Sequence, residues 1–441
     1  MPRIVWVLAL AACHEGATGL GAPDGAPGAT VADAAARVGP RAVNRCPTGP
    51  DPAWVGACVA GVDAVIGQTA FSSLGDAVAA SAAGDTIAVC PGTRQVELVI
   101  DHDLTLLGVD PAPGATILRG HPQTSIIRHT GGALRVEGIT MQDASAALGA
   151  AINSAGDLSL RCSTFLDNSA SRRGGAVAVT GGPVDVDACR FDGNFVSADG
   201  GAISADATLR VVDSTFTGNR TSGQGGAIQA LGDATVAFST FSGNVADTSG
   251  GALAFGLRTD SRLMLLGDLF EGNETLGGGG AIIAGSWASD TVVMRDVRFE
   301  ANVAEEGAAV LFDSWGAVDL TMERVSVHGN TATDGAAVLF GGRLRQGATA
   351  RLTDSSFTDN TAAAGGSALS TDRADTAAVR VTATGVEILR NVGTNAAFEL
   401  MARDSLRCRS CDFGVGADDN QPGDVRRGDR IRVQAPANFQ L

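Results

Sequence analysis

Three polar residues occupy the same position of a repeated pattern and carry side chains suited to acid–base or cation chemistry. Glu271, Glu300 and His328 each directly follow an apolar residue, and they are 29 and 28 residues apart. If the repeat stacks in register, the two carboxylates lie about 5 Å apart, with the imidazole on the next coil. Such a pair suits a retaining glycosidase or a Ca²⁺ site. In an acidic protein it also fits a solvated corner, which we prefer, and we assign no catalytic residue.

The pattern that positions these residues is an Asn three places after a Phe, followed by Gly-Gly-Ala and an aliphatic residue. The step between successive Asn residues is 25 to 31 residues, which indicates a solenoid. Full copies contain Asn168, Asn194, Asn219, Asn244 and Asn273, and weaker copies contain Asn302, Asn330, Asn360 and Asn391.

Alternating apolar residues within each copy predict short strands. Val184 and Val186 precede Phe191 by seven and five places, and Ile228 and Ala230 alternate after a Gly-Gly pair. The odd spacing between Val186 and Phe191 requires a bend before the Phe. A helical repeat is disfavoured because each Gly would cost it roughly 1 kcal/mol. We expect an all-β parallel β-helix with three strands and three corners per coil.

The paired Phe-x-x-Asn and Gly-Gly-Ala-aliphatic phrases resemble the polymorphic outer-membrane-protein repeat of bacterial surface proteins. The resemblance covers residues 139–391 and implies a right-handed parallel β-helix. Members of that family usually end in a membrane β-barrel, and the residues after Asn391 are too few to form one. We therefore expect this chain to be held at the membrane by other means.

The first residues provide a candidate anchor. Residues 1–13 combine Arg3, an apolar run and the phrase Leu10-Ala11-Ala12-Cys13, which predicts a signal peptide. Its last four residues resemble the bacterial lipobox, which implies that Cys13 is lipidated; an ordinary signal peptide that contains a Cys is the alternative. His14 is not the Asp that favours inner-membrane retention, so we expect the outer membrane.

The rest of the chain divides into a linker and one domain. Residues 14–52 are rich in Gly, Ala, Pro and Asp and predict a flexible tether, and residues 53–441 form the β-helix domain. Because a solenoid exposes an apolar cross-section at each end, both ends need a cap. Residues 71–82 predict a short amphipathic helix over the first coil, and residues 408–424 are expected to close the other end.

Composition excludes some partners and indicates an exported protein. The net charge of −16 and the pI near 4.7 argue against binding of nucleic acid or of anionic lipid. Eight cysteines fit an oxidising compartment. We expect a Cys46–Cys58 bridge and a local Cys408–Cys411 bridge, find no partner for Cys90, and leave a Cys162–Cys189 bridge open.

Two functions follow. The favoured one is a lipid-anchored cell-surface protein that binds a glycan or another surface protein, as an adhesin, or acts as an envelope spacer. The alternative is a polysaccharide lyase or glycoside hydrolase of the β-helix type. We expect no cofactor, with Ca²⁺ at the Glu271–Glu300 corner as the alternative. Contact with the membrane is expected through the lipid alone.

Overall fold

The chain folds as a right-handed parallel β-helix. The computed structural model describes residues 46, 54, 56–110, 112–256, 260–285, 289–341, 344–371, 378–401, 403–414, 419–421, 423, 425–426 and 430–434. Each complete coil contributes one strand to each of four sheets, numbered 1 to 4 in the order in which the chain meets them. The predicted fold class is confirmed.

Sheet 1 has sixteen strands and sheet 2 has twelve. The strands of sheet 1 are Ala64–Ile66, Thr69–Phe71, Asp85–Val89, Leu104–Gly108, Ala133–Glu137, Asp157–Arg161, Val184–Asp187, Leu209–Val212, Ala234–Ala237, Ser261–Leu266, Asp290–Arg295, Val318–Glu323, Ala348–Thr353, Val379–Thr384, Ser405–Arg409 and Arg430–Gln434. The strands of sheet 2 are Gly92–Gln95, Thr116–Arg119, Thr140–Gln142, Thr164–Leu166, Arg190–Asp192, Thr215–Thr217, Thr240–Ser242, Leu269–Glu271, Arg298–Glu300, Ser326–His328, Ser356–Thr358 and Glu387–Leu389.

Sheet 3 has nine short strands and sheet 4 has thirteen. The strands of sheet 3 are Ser145–Leu148, Ser169–Arg173, Phe195–Val196, Arg220–Thr221, Val245–Ala246, Glu274–Thr275, Val303–Glu306, Thr331–Asp334 and Thr361–Ala362. The strands of sheet 4 are Leu98–Ile100, Ile127–His129, Ile152–Ser154, Val177–Val179, Ile203–Ala205, Ile228–Ala230, Leu253–Phe255, Ile282–Ala284, Val310–Phe312, Val338–Phe340, Leu369–Thr371, Phe398–Glu399 and Val425–Arg426.

The expectation of three strands per coil was wrong, because sheet 3 is a fourth. Its strands lie between the Asn and the Gly-Gly pair, and several of them, such as Val245–Ala246, contain only two residues. A two-residue strand has no room for an alternating apolar pattern, so periodicity does not reveal it.

Left-handed residues turn the chain at recurring positions. One lies three places before the Phe, where Phe238 has φ 54°, which confirms the predicted bend. Another directly precedes the Asn, where Gly243 has φ 61°. The turn before sheet 3 is therefore made by the residue before the Asn.

The two glycines of each pair have different physical roles. Gly225 adopts φ 72°, which side chains with a Cβ resist. A Cβ on Gly226 would lie 1.9 Å from the carbonyl oxygen of Gly251 on the next coil. The first glycine therefore makes the turn, whereas the second allows adjacent coils to approach closely.

Inside the solenoid, identical side chains stack from coil to coil. Phe165, Phe191, Phe216, Phe241, Phe270 and Phe299 are fully buried, and the centroids of neighbouring rings are 4.6 to 5.2 Å apart. Val327, Phe357 and Ile388 continue this column in register. Burial of each Phe is worth roughly 1.5 to 3 kcal/mol, so the column is a main source of stability.

A buried column of Asn amides runs beside the Phe column. Oδ1 of Asn244 accepts from both the N–H and the Nδ2 of Asn219, each at 3.0 Å. Nδ2 of Asn244 donates to Oδ1 of Asn273 at 2.9 Å and to the Phe216 carbonyl at 3.0 Å. The structural role that we expected for these residues is confirmed.

The N-terminal cap agrees with the sequence. Helix α1 (Leu74–Ala80) begins after Ser73, whose hydroxyl accepts from the Asp76 N–H at 3.4 Å. Its buried side chains, Leu74, Ala77 and Val78, join the main core. This helix is only seven residues long, and none in the described residues is long and apolar enough to cross a bilayer.

The disulfide pattern differs from the one expected. Cys46 pairs with Cys162 rather than with Cys58, and Cys58 pairs with Cys90, for which we had found no partner. The local Cys408–Cys411 bridge is confirmed. Cys162 has a left-handed φ of 50° and meets Cys46, whereas Cys189 is buried and free. The first bridge joins residues 116 positions apart, and such closeness depends on the fold.

The C-terminal segment extends the solenoid. Ser405–Arg409 and Arg430–Gln434 join sheet 1, and Val425–Arg426 joins sheet 4. Asn420 adds one more member to the Asn column, since its Oδ1 accepts from Nδ2 of Asn391 at 3.0 Å. We had expected residues 408–424 to close this end of the solenoid, but strands continue beyond residue 424.

One buried carboxyl group interrupts a column of small side chains. Two places before the Phe, successive coils carry Ser214, Ser239 and then Asp268, which is only 1% exposed. Its carboxyl oxygens accept from the N–H groups of Ser239 and Leu266, at 2.8 and 2.9 Å. Burial nevertheless raises the pKa of Asp268 to about 8, because the charged form loses its hydration.

This raised pKa predicts a pH-dependent stability. The folded state keeps the Asp268 proton up to about pH 8, whereas the unfolded chain releases it near the ordinary value of 3.8. Stability should therefore fall as pH rises through this window, by at most about 1.4 kcal/mol per pH unit. Asp268→Ser restores the side chain of the preceding coils and should flatten the profile. Urea unfolding from pH 4 to 9 measures both proteins, and parallel profiles would contradict the assignment.

Candidate functional site

The three residues singled out in the sequence are neighbours on sheet 2. Glu271 pairs in register with Glu300, and Glu300 pairs with His328. Adjacent strands in such a sheet are about 4.8 Å apart, so Glu271 and Glu300 are backbone neighbours on successive coils, as the repeat register predicts. Glu271 and His328 are exposed, and Glu300 is half-buried. We call these three residues the acidic corner.

Other side chains already engage two members of the acidic corner. Arg298 places Nη1 3.3 Å from Oε1 of Glu300. Nδ1 of His328 lies 3.0 Å from the hydroxyl of Thr358 and 3.4 Å from a carboxyl oxygen of Asp359. The guanidinium of Arg298 therefore offsets part of the negative charge that a cation would otherwise neutralise.

The surroundings add negative charge without forming a closed ligand shell. Glu274 begins the sheet 3 strand of the Glu271 coil, and Glu305 and Glu306 lie on the coil of Glu300. Among the described residues, no three His, Cys, Asp or Glu side chains are grouped so that they could hold a metal ion. As arranged, the acidic corner is an open polar sheet face with two adjacent carboxylates.

A second polar feature, which the sequence did not reveal, lies on sheet 1. An open depression of about 260 Å³ crosses the coils that begin at Asp290, Val318 and Ala348, and Arg351 and Arg380 contribute to its lining. The outward positions of this sheet vary from coil to coil, so we saw no repeated functional type in them. The sequence signal that could have revealed this depression was an increase in the number of residues per coil. Many of the additional residues lie at one corner of the coil.

That corner joins sheet 4 to sheet 1. Residues 231–233 make the connection in one coil, whereas four coils later seven residues separate Phe340 from Ala348. The longer connection contributes Arg345, whose guanidinium carbon lies 4.0 Å from the centre of the Trp315 ring. Part of the added length of the longer coils therefore lies at the corner between sheet 4 and sheet 1.

The predicted lipidation site, Cys13, and most of the predicted tether lie outside the described residues. Cys46, which falls within the predicted tether, is described and is bonded to Cys162. Covalent attachment at Cys162 therefore fixes this end of the linker against the solenoid.

Two successive copies of the repeat match a known family of repeats. Residues 188–206 and 213–231 match the Chlamydia polymorphic membrane protein (Chlamydia_PMP) repeat. Each match contains one Phe-x-x-Asn phrase and the Gly-Gly-Ala-Ile phrase that follows it. Two neighbouring coils of the parallel β-helix therefore contain repeats of this polymorphic membrane protein type.

Other comparisons add little. Comparison with curated proteins finds no match to the sequence. Among solved structures, the A-module of the Azotobacter vinelandii mannuronan C-5 epimerase AlgE6 is similar at 12% identity and a TM-score of 0.22. The match covers 82% of this chain and 94% of that one. A likeness of this size carries no conclusion about activity.

The geometry of the acidic corner predicts the response to calcium. Ca²⁺ takes six to eight oxygen ligands, whereas this face offers two adjacent carboxylates, one of which already contacts Arg298. We expect Ca²⁺ to leave the melting temperature unchanged, in the native protein and in the Glu271→Gln/Glu300→Gln variant alike. Differential scanning calorimetry with calcium or with EDTA tests this. A calcium-dependent rise that the double variant abolishes would establish a cation site.

Proposed function

We propose that the protein is a lipid-anchored β-helix of the bacterial cell surface that acts by binding or as an envelope spacer, in the manner of an adhesin. The observation that carries the proposal is the unbroken hydrogen-bonded column from Asn168 to Asn420. A continuous column that passes through ten successive coils favours a stiff rod. Twelve strands in sheet 2 correspond to a length of roughly 50 Å.

Location at the outer surface is supported by the repeat type and the chain's chemistry. The matched repeat takes its name from a membrane protein, and the N-terminal phrase ending at Cys13 resembles a lipobox. Three disulfides fit an oxidising compartment. The partner is a glycan or another surface protein, because a net charge of −16 disfavours nucleic acid and anionic lipid.

Lipidation at Cys13 predicts a defined change in location. Cys13→Ala should move the protein from the membrane fraction to the soluble fraction and abolish its labelling by fatty acid. Cys46→Ala is the matched control, since it also removes a cysteine near the N-terminus but leaves the lipobox intact. Membrane attachment that persists in Cys13→Ala, together with unlabelled native protein, would refute the anchor.

Binding is tested directly with the soluble Cys13→Ala protein on a glycan array, followed by product analysis of each glycan that it retains. We expect retention without cleavage, because the role proposed is binding. Release of shorter products would support the alternative, a polysaccharide lyase or hydrolase. If neither glycans nor extracts of surface protein are bound, the spacer role alone survives.

A further inference from the structure

The depression on sheet 1 differs from the rest of the surface in its shape. Thr291, Asp319, Thr349 and Arg380 are in-register neighbours on four successive strands, which form its floor along the solenoid axis. Gln346 and Gly347, which directly precede the strand Ala348–Thr353, also contribute to the lining. An extended chain lying along the axis would meet these four side chains in turn, one per coil.

The depression also differs from the acidic corner in its charge. Arg351 lies within it and bonds through Nη1 to Oδ1 of Asp319 at 2.6 Å, and both side chains are 55% exposed. Arg380 is exposed and has no ion-pair partner among the described residues. Arg345, which directly precedes Gln346 in the chain, stacks its guanidinium on the Trp315 ring. Asp319 offsets the charge of Arg351, and the buried Asp290 also contributes to the lining, so Arg380 is the exposed cation that favours an anionic ligand.

The functional groups on the floor of the depression are complementary to those of a sugar acid. A guanidinium can donate two parallel hydrogen bonds to one carboxylate, which a neutral sugar does not offer. The hydroxyls of Thr291 and Thr349 and the carboxylate of Asp319 can exchange hydrogen bonds with sugar hydroxyls. The depression is shallow and open, so it suits a polymer that lies across it better than a small molecule that must be enclosed.

We propose that this depression binds a carboxylate-bearing oligosaccharide, with Arg380 and Arg351 recognising its carboxylates. The inference rests on the proposed binding function and deepens it by naming the surface and the ligand class. The acidic corner on sheet 2 takes no part in this binding.

The probe is an oligogalacturonate, and its methyl ester is the uncharged counterpart. Calorimetry on the Cys13→Ala protein should detect binding of the acid, weakened by added salt, and no binding of the ester. Arg380→Ala should weaken binding by at least about ten-fold, the effect of losing one charge-assisted contact. Arg210→Ala is the matched control, because Arg210 bonds to Asp185 at 2.6 Å on the same sheet but outside the depression.

The variants separate this site from the wider function. Failure to bind the acid, equal binding of the ester, or an equal loss in Arg210→Ala overturns the site. If a sulfated oligosaccharide competes in proportion to its charge alone, the depression binds anions in general and does not recognise carboxylates. That result also overturns the proposed site. If the Arg380→Ala variant still binds glycans on the array, the surface-binding role stands and only the assignment of this depression as the binding site is rejected. Unchanged melting temperatures confirm that each variant is folded.

Discussion

The fold depends on the requirement that every buried Asn amide find partners on the coils above and below it. An amide without hydrogen bonds in the interior costs about 1 to 3 kcal/mol, so a slip of one residue would leave a whole column unsatisfied. Asn244 shows how the requirement is met, since it bonds to Asn219, Asn273 and the Phe216 carbonyl. Register is thereby common to the coils from Asn168 to Asn420. Stacked Phe rings, paired glycines and the alignment of Glu271 with Glu300 follow from it.

Features that leave a local or periodic signal could be predicted from the sequence, whereas the two-residue strands of sheet 3 and the long-range disulfide could not. The Phe and Asn columns, the bend before each Phe and the N-terminal helix each leave a repeated or periodic signal. The Cys46–Cys162 bridge leaves none, because its two residues are 116 positions apart in the sequence and meet only in the folded chain. Asn420 was missed because it lies seven residues after Phe413 instead of three, although its Nδ2 still donates to the Phe413 carbonyl at 2.9 Å.

For the candidate sites the same distinction applies. The acidic corner could be placed correctly because all three residues follow the Phe column position by one. The depression on sheet 1 could not be predicted, because it depends on which corner contains the extra residues of the longer coils. A count of residues per coil does not say which corner receives them, and outward side chains such as Arg351 and Arg380 match no repeated type. Sequence periodicity thus predicts the coils of the β-helix well and the arrangement of side chains on its outer surface poorly.

The Cys46–Cys162 bond determines how the protein would carry a mechanical load. Tension arriving along the chain before Cys46 enters the solenoid through the disulfide at Cys162, and residues between these two cysteines are enclosed in a covalent loop. The helix Leu74–Ala80 and the first coils are therefore shielded from the pull, although an end cap is where a solenoid would otherwise begin to peel. Force instead passes directly into coils joined by the Asn column. Reduction of the Cys46–Cys162 disulfide by a thiol would open the covalent loop, and the N-terminal cap would then bear the full tension.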